Sequence, residues 1–251
     1  MASNPEAEST GVARLVPSDR RGAVGNDSVP MERVDHGNLS ARTYVALKDA
    51  LIGGRFRPGE RLLMQDLALQ FGTSVTPVRE ACMRLVAERG LEVRSGRFVT
   101  VPDLTVDRYM EIRTIRVELE GLAAGLAATN ATPDDVDAIA RLQADFEAAE
   151  HAHATNESIR INREFHFAVY GLSVMPMLIA HIESLWISMG PILNVFYNEV
   201  ANDYVGAEEH LHLIDALRAK DARKARAAIA ADIRRGGDAL LKYLTGRPRR
   251  A

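Results

Sequence analysis

The sequence predicts a mainly α-helical protein in two parts, an N-terminal helix-turn-helix with a small β-hairpin and a C-terminal all-α helical bundle. Two short helical segments joined by a tight turn, followed by an alternating hairpin, predict the first part. About six longer helical patterns separated by short loops predict the second. The charge also divides: residues 39–102 carry a net charge of +4, whereas residues 103–251 carry −5. Such a split is typical of a chain whose first module alone binds nucleic acid.

The composition is that of a soluble globular chain, with 47% hydrophobic and 26% charged residues. No uninterrupted apolar run approaches the roughly 20 residues that cross a bilayer. The N-terminus lacks an apolar core behind a basic start, so no secretory signal is expected. The single cysteine, Cys82, excludes an intrachain disulfide. We therefore expect a cytoplasmic protein with no membrane partner.

The two ends of the chain differ in character from its interior. Residues 1–38 are rich in small, polar and acidic residues without an apolar period, which predicts a disordered tail. A helix is expected over residues 40–53, with Ser40 as its cap. A short extended piece follows at residues 61–63. Residues 246–251 are predicted to form a basic, disordered tail.

The central motif of the first part is a pair of short helices. The first covers residues 65–71 and ends at Gly72, and the second begins at Ser74 or Thr76, whose hydroxyl can accept from a first-turn amide. Pro77 fits that first turn, where its missing N–H costs nothing. The pair is expected to present its second helix to a major groove. The alternative is an ordinary helical hairpin with solvated arginines.

After residue 90 the apolar pattern changes from helical to alternating. Two alternating stretches flank a turn at Ser95-Gly96, which predicts a hairpin. A hairpin directly after a helix-turn-helix is a wing, so residues 39–102 are predicted to be a winged helix-turn-helix DNA-binding domain. Arg94 and Arg97 flank the tip of the wing, where they can reach phosphates or a minor groove.

Residues 39–102 resemble the GntR family of bacterial transcription regulators. The matching residues are Gly54, Pro58, Gly59, Arg61, Leu62, Leu67, Ala68, Ser74, Thr76, Pro77, Val78, Arg79, Glu80, Ala81, Arg84, Leu85, Gly90, Leu91 and Gly96. The resemblance implies that the start of the second helix and the wing tip contact double-stranded operator DNA. Together with the basic residues nearby, the residues expected to contact DNA are Gln65, Ser74, Val75, Thr76, Arg79, Arg84, Arg94, Gly96 and Arg97.

Two of these positions depart from the family pattern. The family usually has arginine where Val75 stands, and often a polar or basic residue where Gln65 stands. The missing arginine removes a groove or phosphate contact. We expect this loss to weaken DNA binding or to change the base that is read, without altering the fold.

The second part, residues 103–245, is predicted to be an all-α bundle. One of its helices has a strong start signal, Thr132-Pro133, in which a capping hydroxyl precedes a proline in the first turn. Pro176 and Pro191 are expected to end or kink another helix. The predicted helices cover residues 103–129, 133 onward, 155–172, 175–200, 204–219 and 221–244.

Polar residues from three of these helices can converge in the bundle core. Asn162 and His166 are four residues apart and share one helical face, while His210 and Asp232 lie in the last two helices. Imidazole and carboxylate groups together suit Zn, Ni, Mn or Fe. The alternative is that these histidines are ordinary buried or solvated side chains.

Residues 103–245 also resemble the helical ligand-binding domain, called FCD, of the FadR-like branch of the GntR family. The matching residues include Arg116, Glu120, Ala123, Ala124, Leu126, Asn162, Phe165, His166, Glu209, His210, Ala216, Leu217, Asp221 and Ala225. The resemblance implies a divalent metal held by Asn162, His166, His210 and residue 232, with a small carboxylate effector beside it. Asp232 departs from the usual histidine, so either a harder, oxygen-rich metal site or a metal-free polar pocket results.

Arg116 is the predicted anion anchor of this pocket, because a guanidinium can grip a carboxylate with two parallel hydrogen bonds. The alternative is an internal salt bridge to Glu120, four residues further along the helix. The two roles can also alternate, with the salt bridge present only when the effector is absent. Arg113 and Tyr109, one or two helical turns earlier, are further candidates for effector binding.

The sequence thus predicts a transcription regulator, more commonly a repressor in this family, whose operator affinity a small acidic metabolite controls. The family implies a homodimer on a palindromic operator, with half-site spacing set by helical geometry. The competing hypothesis is a metal-dependent hydrolase or oxygenase fused to a DNA-binding module. The absence of a motif such as H-E-x-x-H favours a regulator that is not an enzyme.

Overall fold

The computed structural model describes residues 37–200 and 207–246. The predicted N-terminal tail lies outside these residues except for its last two positions, which belong to the first helix. The predicted C-terminal tail also lies outside them, except for Gly246, which is the last residue of the final helix. Within the described residues the chain forms an N-terminal domain with a small sheet and a C-terminal bundle of helices.

The N-terminal domain has the predicted helix-turn-helix and wing, with one strand more than expected. The piece at residues 61–63 pairs with the second wing strand, so the sheet has three antiparallel strands in the order β1-β3-β2. Leu62 faces Val99 across this pairing, and both side chains are buried. The elements are α1 (Gly37–Ile52), β1 (Arg61–Leu63), α2 (Met64–Gln70), α3 (Val75–Ala87), β2 (Glu92–Ser95) and β3 (Phe98–Thr100).

Helix α3 begins where the hydroxyl and proline signals placed it. Ser74 occupies the N-cap position with an extended backbone, although its side chain makes no capping hydrogen bond. Gly72 precedes it with a φ of 61°, a left-handed conformation that glycine adopts without strain. Val78, Cys82 and Leu85 recur at helical spacing, which predicts one apolar stripe, and all three are fully buried. Burial raises the pKa of the Cys82 thiol to about 11. The stripe therefore fixes which face of α3 remains exposed.

The bundle consists of six helices in the described residues, as predicted. The start of α5 formed as its sequence predicted. Thr132 and Asp135 form a reciprocal capping box, and Pro133 is the first residue of the helix. Lys220 supports the preceding helix end, where its Nζ donates to the carbonyl of Ala131 at 2.8 Å. The helices are α4 (Val106–Asn130), α5 (Pro133–His151), α6 (Thr155–Gly171), α7 (Pro176–Glu199), α8 (Ala207–Arg218) and α9 (Ala222–Gly246).

Helix α7 is a continuous core helix that contains Pro191 instead of ending at it. Its residues 176–198 are long and apolar enough to cross a membrane by length and composition, although polar residues interrupt the apolar run. Trp186 and Ile187 are nevertheless buried against protein neighbours. The hydropathy of α7 is therefore that of a helix packed inside a domain.

The helical spacing of Tyr109, Ile112, Leu119, Leu122 and Leu126 predicts the buried face of α4, and this prediction is only partly correct. Tyr109 and Ile112 are buried, whereas the three leucines are half-buried. The neighbouring face instead buries a charged pair, Arg116 and Glu120, together with several alanines. The leucines were the stronger signal in the sequence, but Arg116 of the charged pair is the residue that lines the cavity of the helical domain.

Candidate functional site

The start of α3 presents polar side chains to solvent. Ser74, Thr76 and Arg79 are exposed, and the Arg79 guanidinium makes no hydrogen bond or ion pair within the described residues. Gln65 on α2 is exposed as well, whereas Val75 is half-buried. An exposed helix start with an uncommitted arginine has the form that enters a major groove.

Arg84, one turn and a half further along α3, is placed differently. Its guanidinium lies 3.7 Å from the ring centroid of Tyr44 on α1 and contacts the carboxylate of Glu88 at 3.4 Å. Tyr44 also donates to Glu88, at 2.8 Å. The predicted DNA contact by Arg84 is therefore not supported by its position, because its guanidinium is engaged between two helices of its own domain.

The wing tip lies at the turn between β2 and β3. Arg94 pairs with Glu92 at 2.8 Å, while the side chain of Arg97 makes no bond to another described residue. A Cβ added to Gly96 would meet nothing within 4 Å, so the fold itself does not require glycine there. Close approach to a partner surface remains a reason for it. We name Gln65, Ser74, Val75, Thr76, Arg79, Arg94, Gly96 and Arg97 the candidate DNA-binding face.

The bundle encloses a cavity of about 200 Å³ that brings most of the predicted pocket together. Tyr109, Arg116, Asn162, His166 and Asp232 all line it. They come from α4, α6 and α9, whereas the predicted convergence was of α6, α8 and α9, and His210 on α8 is not among the residues that line the cavity. Helix α7 supplies much of the apolar wall, through Trp186, Met189, Ile192, Leu193 and Phe196.

Two histidines and one carboxylate, from α6, α8 and α9, meet beside this cavity, which His166 and Asp232 line. Nε2 of His166 lies 3.5 Å from one oxygen of Asp232, and Nε2 of His210 lies 3.9 Å from the other. One ligand atom from each of the three residues falls within 4.8 Å of the other two. Nε2 of His210 is buried and has no hydrogen-bond partner among the described residues. An orphaned nitrogen facing a carboxylate is the arrangement that a shared cation would satisfy.

The orientation of His210 is set by Gln143 on α5. The Gln143 amide nitrogen donates to Glu147 at 2.8 Å, which directs its oxygen to Nδ1 of His210 at 2.7 Å. Nδ1 therefore carries the hydrogen, and Nε2 keeps its lone pair towards Asp232. Phe165 stacks on the same ring at a centroid distance of 4.0 Å. Burial lowers the pKa of His210 to about 3, so the imidazole is neutral at pH 7.

The orientation of His166 is set by a second chain of hydrogen bonds. Tyr170 donates its only hydroxyl hydrogen to Glu120 at 2.5 Å, so its oxygen accepts from Nδ1 of His166 at 3.1 Å. Nε2 of His166 then also presents a lone pair to Asp232. Burial, with smaller contributions from His210 and Arg116, holds the pKa of His166 well below its ordinary value. Both imidazoles are thus neutral and oriented as metal ligands are.

These residues fit a divalent metal ion. Two neutral imidazole nitrogens and a carboxylate are a common first set of ligands for Zn, Ni, Mn or Fe, and each imidazole has the outer partner that fixes its tautomer. Asn162 lies one helical turn before His166 and lines the same cavity. Asp232 reaches both histidines from α9, so an aspartate occupies this position without loss of contact.

Arg116 forms the internal salt bridge that was the alternative to an anion anchor. Its Nε and Nη2 donate to the two oxygens of Glu120 at 2.6 and 3.2 Å. Glu120 is fully buried and also accepts from Trp186 at 3.1 Å. The hydrogen bonds of Arg116 to the described residues leave Nη1 uncommitted, and the residue lines the cavity. An anion in the cavity can therefore accept a hydrogen bond from Nη1, but not from Nε and Nη2, which donate to Glu120.

The two other predicted effector residues differ in position. Tyr109 lines the cavity, and its hydroxyl packs so closely on α9 that a Cβ at Gly237 would lie 1.9 Å away. Arg113 lies outside the cavity lining, where it donates to the carbonyl of Arg234 and to Asp238 at 2.6 and 2.7 Å. The predicted role of Arg113 is therefore not supported, because its guanidinium joins α4 to α9.

Three residues of the site were missed from the sequence: Gln143, Tyr170 and Trp186. Gln143 carried a usable signal, since it lies on the buried face of α5 between Ile139 and Phe146, where a polar side chain needs a partner. Tyr170 and Trp186 carried none, because either residue is equally expected in an apolar core.

The fold and the cavity together define a class: a winged helix-turn-helix joined to a helical domain that can enclose a small ligand. The chain belongs to the GntR family of bacterial regulatory proteins. Residues 39–101 match the family described as "Bacterial regulatory proteins, gntR family", and residues 111–235 match the FCD domain. The relatives are transcription regulators, so the chain is a transcription regulator and not an enzyme, and the hypothesis of a fused hydrolase or oxygenase is not supported.

Individual relatives are similar over most of both chains. The HTH-type transcriptional regulator McbR of Escherichia coli K12 is 37% identical over 202 residues, which cover 79% of this chain and 90% of McbR. The solved structure of E. coli McbR/YncC superposes with a TM-score of 0.77 at 35% identity, covering 83% of this chain and 99% of that one. A protein of Paenarthrobacter nicotinovorans described as "Probable D-xylose utilization operon transcriptional repressor" is 31% identical over 176 residues, or 70% and 77% of the two chains.

Proposed function

We propose that this regulator binds its operator with an affinity set by a small carboxylate metabolite, which the helical domain holds beside a divalent metal ion. The observation that carries the proposal is the pair of neutral imidazoles of His166 and His210, whose Nε2 atoms face Asp232 next to the guanidinium of Arg116. A metal and an anion are complementary occupants of such a site.

In this proposal His166, His210 and Asp232 hold the metal, and Asn162 adds an amide oxygen from the adjacent turn. When bound, the metal supplies a positive charge that an effector carboxylate can join. Nη1 of Arg116 and the hydroxyl of Tyr109 orient the same anion by hydrogen bonding. The apolar wall from α7 excludes water and accepts the carbon skeleton of the effector.

The cavity also limits the size of the effector. A cavity of about 150 Å³ holds a molecule of the size of benzene, so the 200 Å³ observed here suits roughly eight non-hydrogen atoms. A short monocarboxylate or dicarboxylate fits this limit. A long-chain acid does not, unless the cavity widens.

In the DNA-binding half, the start of α3 enters the major groove and the wing contacts the adjacent backbone. Arg79 is the residue proposed to read a base edge, with Ser74 and Thr76 on phosphates or bases. Two copies of the chain form a homodimer on a palindromic operator. Because that operator lies on the chromosome, the protein acts in the cytoplasm. Repression is the proposed direction, because named relatives include repressors.

The proposal is tested by measuring operator affinity with and without the effector class. A DNA duplex selected in vitro by the protein is labelled, and its binding to zinc-loaded protein is followed by fluorescence polarisation. We expect at least one acid from a panel of two- to six-carbon carboxylates to change the Kd by about 5-fold or more. The amides of the same acids are the matched controls and leave the Kd unchanged. An equal response to acid and amide, or none to any acid, contradicts the carboxylate proposal.

A further inference from the structure

Helix α7 contacts the cavity on one side and the DNA-binding domain on the other. Trp186, Met189 and Leu193 line the cavity. Gly190 and Asn194, the residues directly after Met189 and Leu193, lie against the end of α1 and the turn that follows it. Helix α7 therefore connects the cavity directly to the DNA-binding domain.

The contact between α7 and α1 is a close approach of two backbones. A Cβ added to Gly190 would lie 1.8 Å from the carbonyl oxygen of Leu51, so no side chain separates the two helices. Asn194 donates from its side chain to the carbonyl of Gly54 at 2.6 Å. The carboxylate of Glu183 also accepts from Lys48 at 2.8 Å. A shift of α7 along or around its axis therefore displaces the end of α1, since close-packed interiors transmit strain.

On the cavity side, α7 is joined to the metal and anion groups through one carboxylate. Trp186 donates to Glu120 at 3.1 Å, and Glu120 also accepts from Arg116 and from Tyr170. Tyr170 accepts in turn from Nδ1 of His166. Tyr170, which orients His166, and Arg116, which lines the cavity, thus donate to the same carboxylate as Trp186 on α7.

Sharing one buried acceptor couples its donors. Glu120 is fully buried, so each hydrogen bond it accepts is strong, and none of its donors can be exchanged for water. An anion drawn to Nη1 of Arg116 weakens the hold of that guanidinium on Glu120. A cation on Nε2 of His166 strengthens the donor Nδ1–H towards Tyr170. Either change alters the position that Glu120 offers to Trp186.

We propose that Glu120, Trp186 and α7 form the route by which occupancy of the cavity alters the placement of α1 and the DNA-binding domain. The proposal rests on the proposed function only for the nature of the occupant. Two contacts between the domains start from other helices, from Arg163 on α6 to Asp49 at 3.0 Å and from Arg108 on α4 to the carbonyl of Arg89 at 3.1 Å. Both lie at exposed or partly exposed positions, where such bonds contribute little. The route through α7 is therefore the one to test.

The test is hydrogen–deuterium exchange of the full-length protein, with zinc alone as the probe. The amides of residues 53–55 are hydrogen-bonded at the end of α1, so their exchange is measurable. We expect saturating zinc to change their exchange rate in the parent by about 3-fold or more. Trp186→Phe keeps the ring but removes the donor to Glu120. It is expected to bind one zinc and to lose this change.

Two further variants separate the route from a general effect. Asn194→Ala removes the bond to Gly54 and is expected to abolish the response at residues 53–55. Asn198→Ala, one turn further on the same helix and exposed, is the matched control and responds like the parent. If Trp186→Phe does not fold, Asn194→Ala decides the test, because it breaks the same route one step later without touching the cavity groups.

The outcomes distinguish the coupling from the metal site. Zinc that binds without changing residues 53–55 in the parent, or a full response in Trp186→Phe, overturns the coupling. Absence of zinc binding in the parent contradicts the metal proposal only. The coupling is then decided without zinc: Trp186→Phe is expected to exchange at residues 53–55 about 2-fold faster than the parent, and equal rates overturn it.

Discussion

The candidate DNA-binding face and the helical cavity differ in how their arginines are placed: exposed on the face, buried and paired in the cavity. On the face, Arg79 and Arg97 extend into solvent with no partner among the described residues, which leaves their donors available to a nucleic acid. In the cavity, Arg116 is buried and two of its donors are already used by Glu120. An exposed charge costs little to keep, whereas a buried charge must be paired inside the fold. The face can therefore change without loss of the fold, and the cavity cannot.

The largest expected effect follows from removing the acceptor at the centre of the cavity. Glu120→Ala leaves Arg116 as a buried charge without its carboxylate and deprives Tyr170 and Trp186 of an acceptor. We expect the free energy of unfolding to fall by about 3–5 kcal/mol, measured by urea denaturation. Glu118→Ala, exposed on the same helix, is the control and is expected to stay within roughly 0.5 kcal/mol of the parent. Equal stability of the two variants would show that Glu120 is not structurally required.

On the DNA-binding face, the same kind of truncation is expected to spare stability and reduce binding. Arg79→Ala should weaken binding to a selected operator by about 1–3 kcal/mol if the guanidinium reads a guanine edge. Its free energy of unfolding should match the parent's, since Arg79 is exposed and unpaired among the described residues. Polarisation with operator and with random duplex separates specific from general binding. A variant that binds both duplexes like the parent would remove α3 from the role of recognition helix.

Gln143→Ala tests whether the cavity is organised for a metal. The substitution removes the acceptor that fixes the Nδ1–H tautomer of His210. We expect zinc affinity, measured by competition with a chromophoric chelator, to fall by about 10- to 100-fold. Asp145→Ala, on the exposed side of α5, serves as the control. Unchanged zinc affinity in Gln143→Ala would mean that this hydrogen bond does not orient a ligand.

The smallest expected effect distinguishes Arg84 from Arg79. Because the Arg84 guanidinium lies over Tyr44, Arg84→Ala should lower the free energy of unfolding by about 0.5–1 kcal/mol and leave DNA specificity unchanged. Denaturation and polarisation of one preparation measure both quantities. A loss of operator binding as large as that of Arg79→Ala would return Arg84 to the DNA-binding face.

Features that depend on residues close together in the sequence were predicted correctly, whereas several features that depend on distant residues were not. The helix start at Thr132 and the buried stripe of α3 depend on residues within four positions of one another, and both formed as predicted. The extended piece at residues 61–63 was predicted, but its pairing into the sheet was missed, because Leu62 finds its partner, Val99, far along the chain. Pro191 was expected to end or kink its helix, and it does not end it, because packing in the domain core keeps α7 continuous.

The cavity shows the same limit at the level of single residues. Spacing of four residues was enough to pose the salt bridge from Arg116 to Glu120 as an alternative, and the structure contains it. Spacing could not show that Tyr170 and Trp186, 50 and 66 residues away, share that carboxylate. Nor could it show that Arg113 pairs with Asp238 outside the cavity lining, since both arginines lie on neighbouring turns of α4.

The most direct test of the central proposal is the metal content of the purified protein, measured by elemental mass spectrometry. The protein is prepared without chelators or a histidine tag, alongside His166→Ala and Asp232→Ala. His212→Ala, an exposed histidine two residues from His210, is the control. We predict about one metal ion per chain in the parent and in the control, and almost none in the other two variants. A parent without metal after incubation with zinc, nickel and manganese would contradict the metal site and leave an effector pocket built from polar side chains alone.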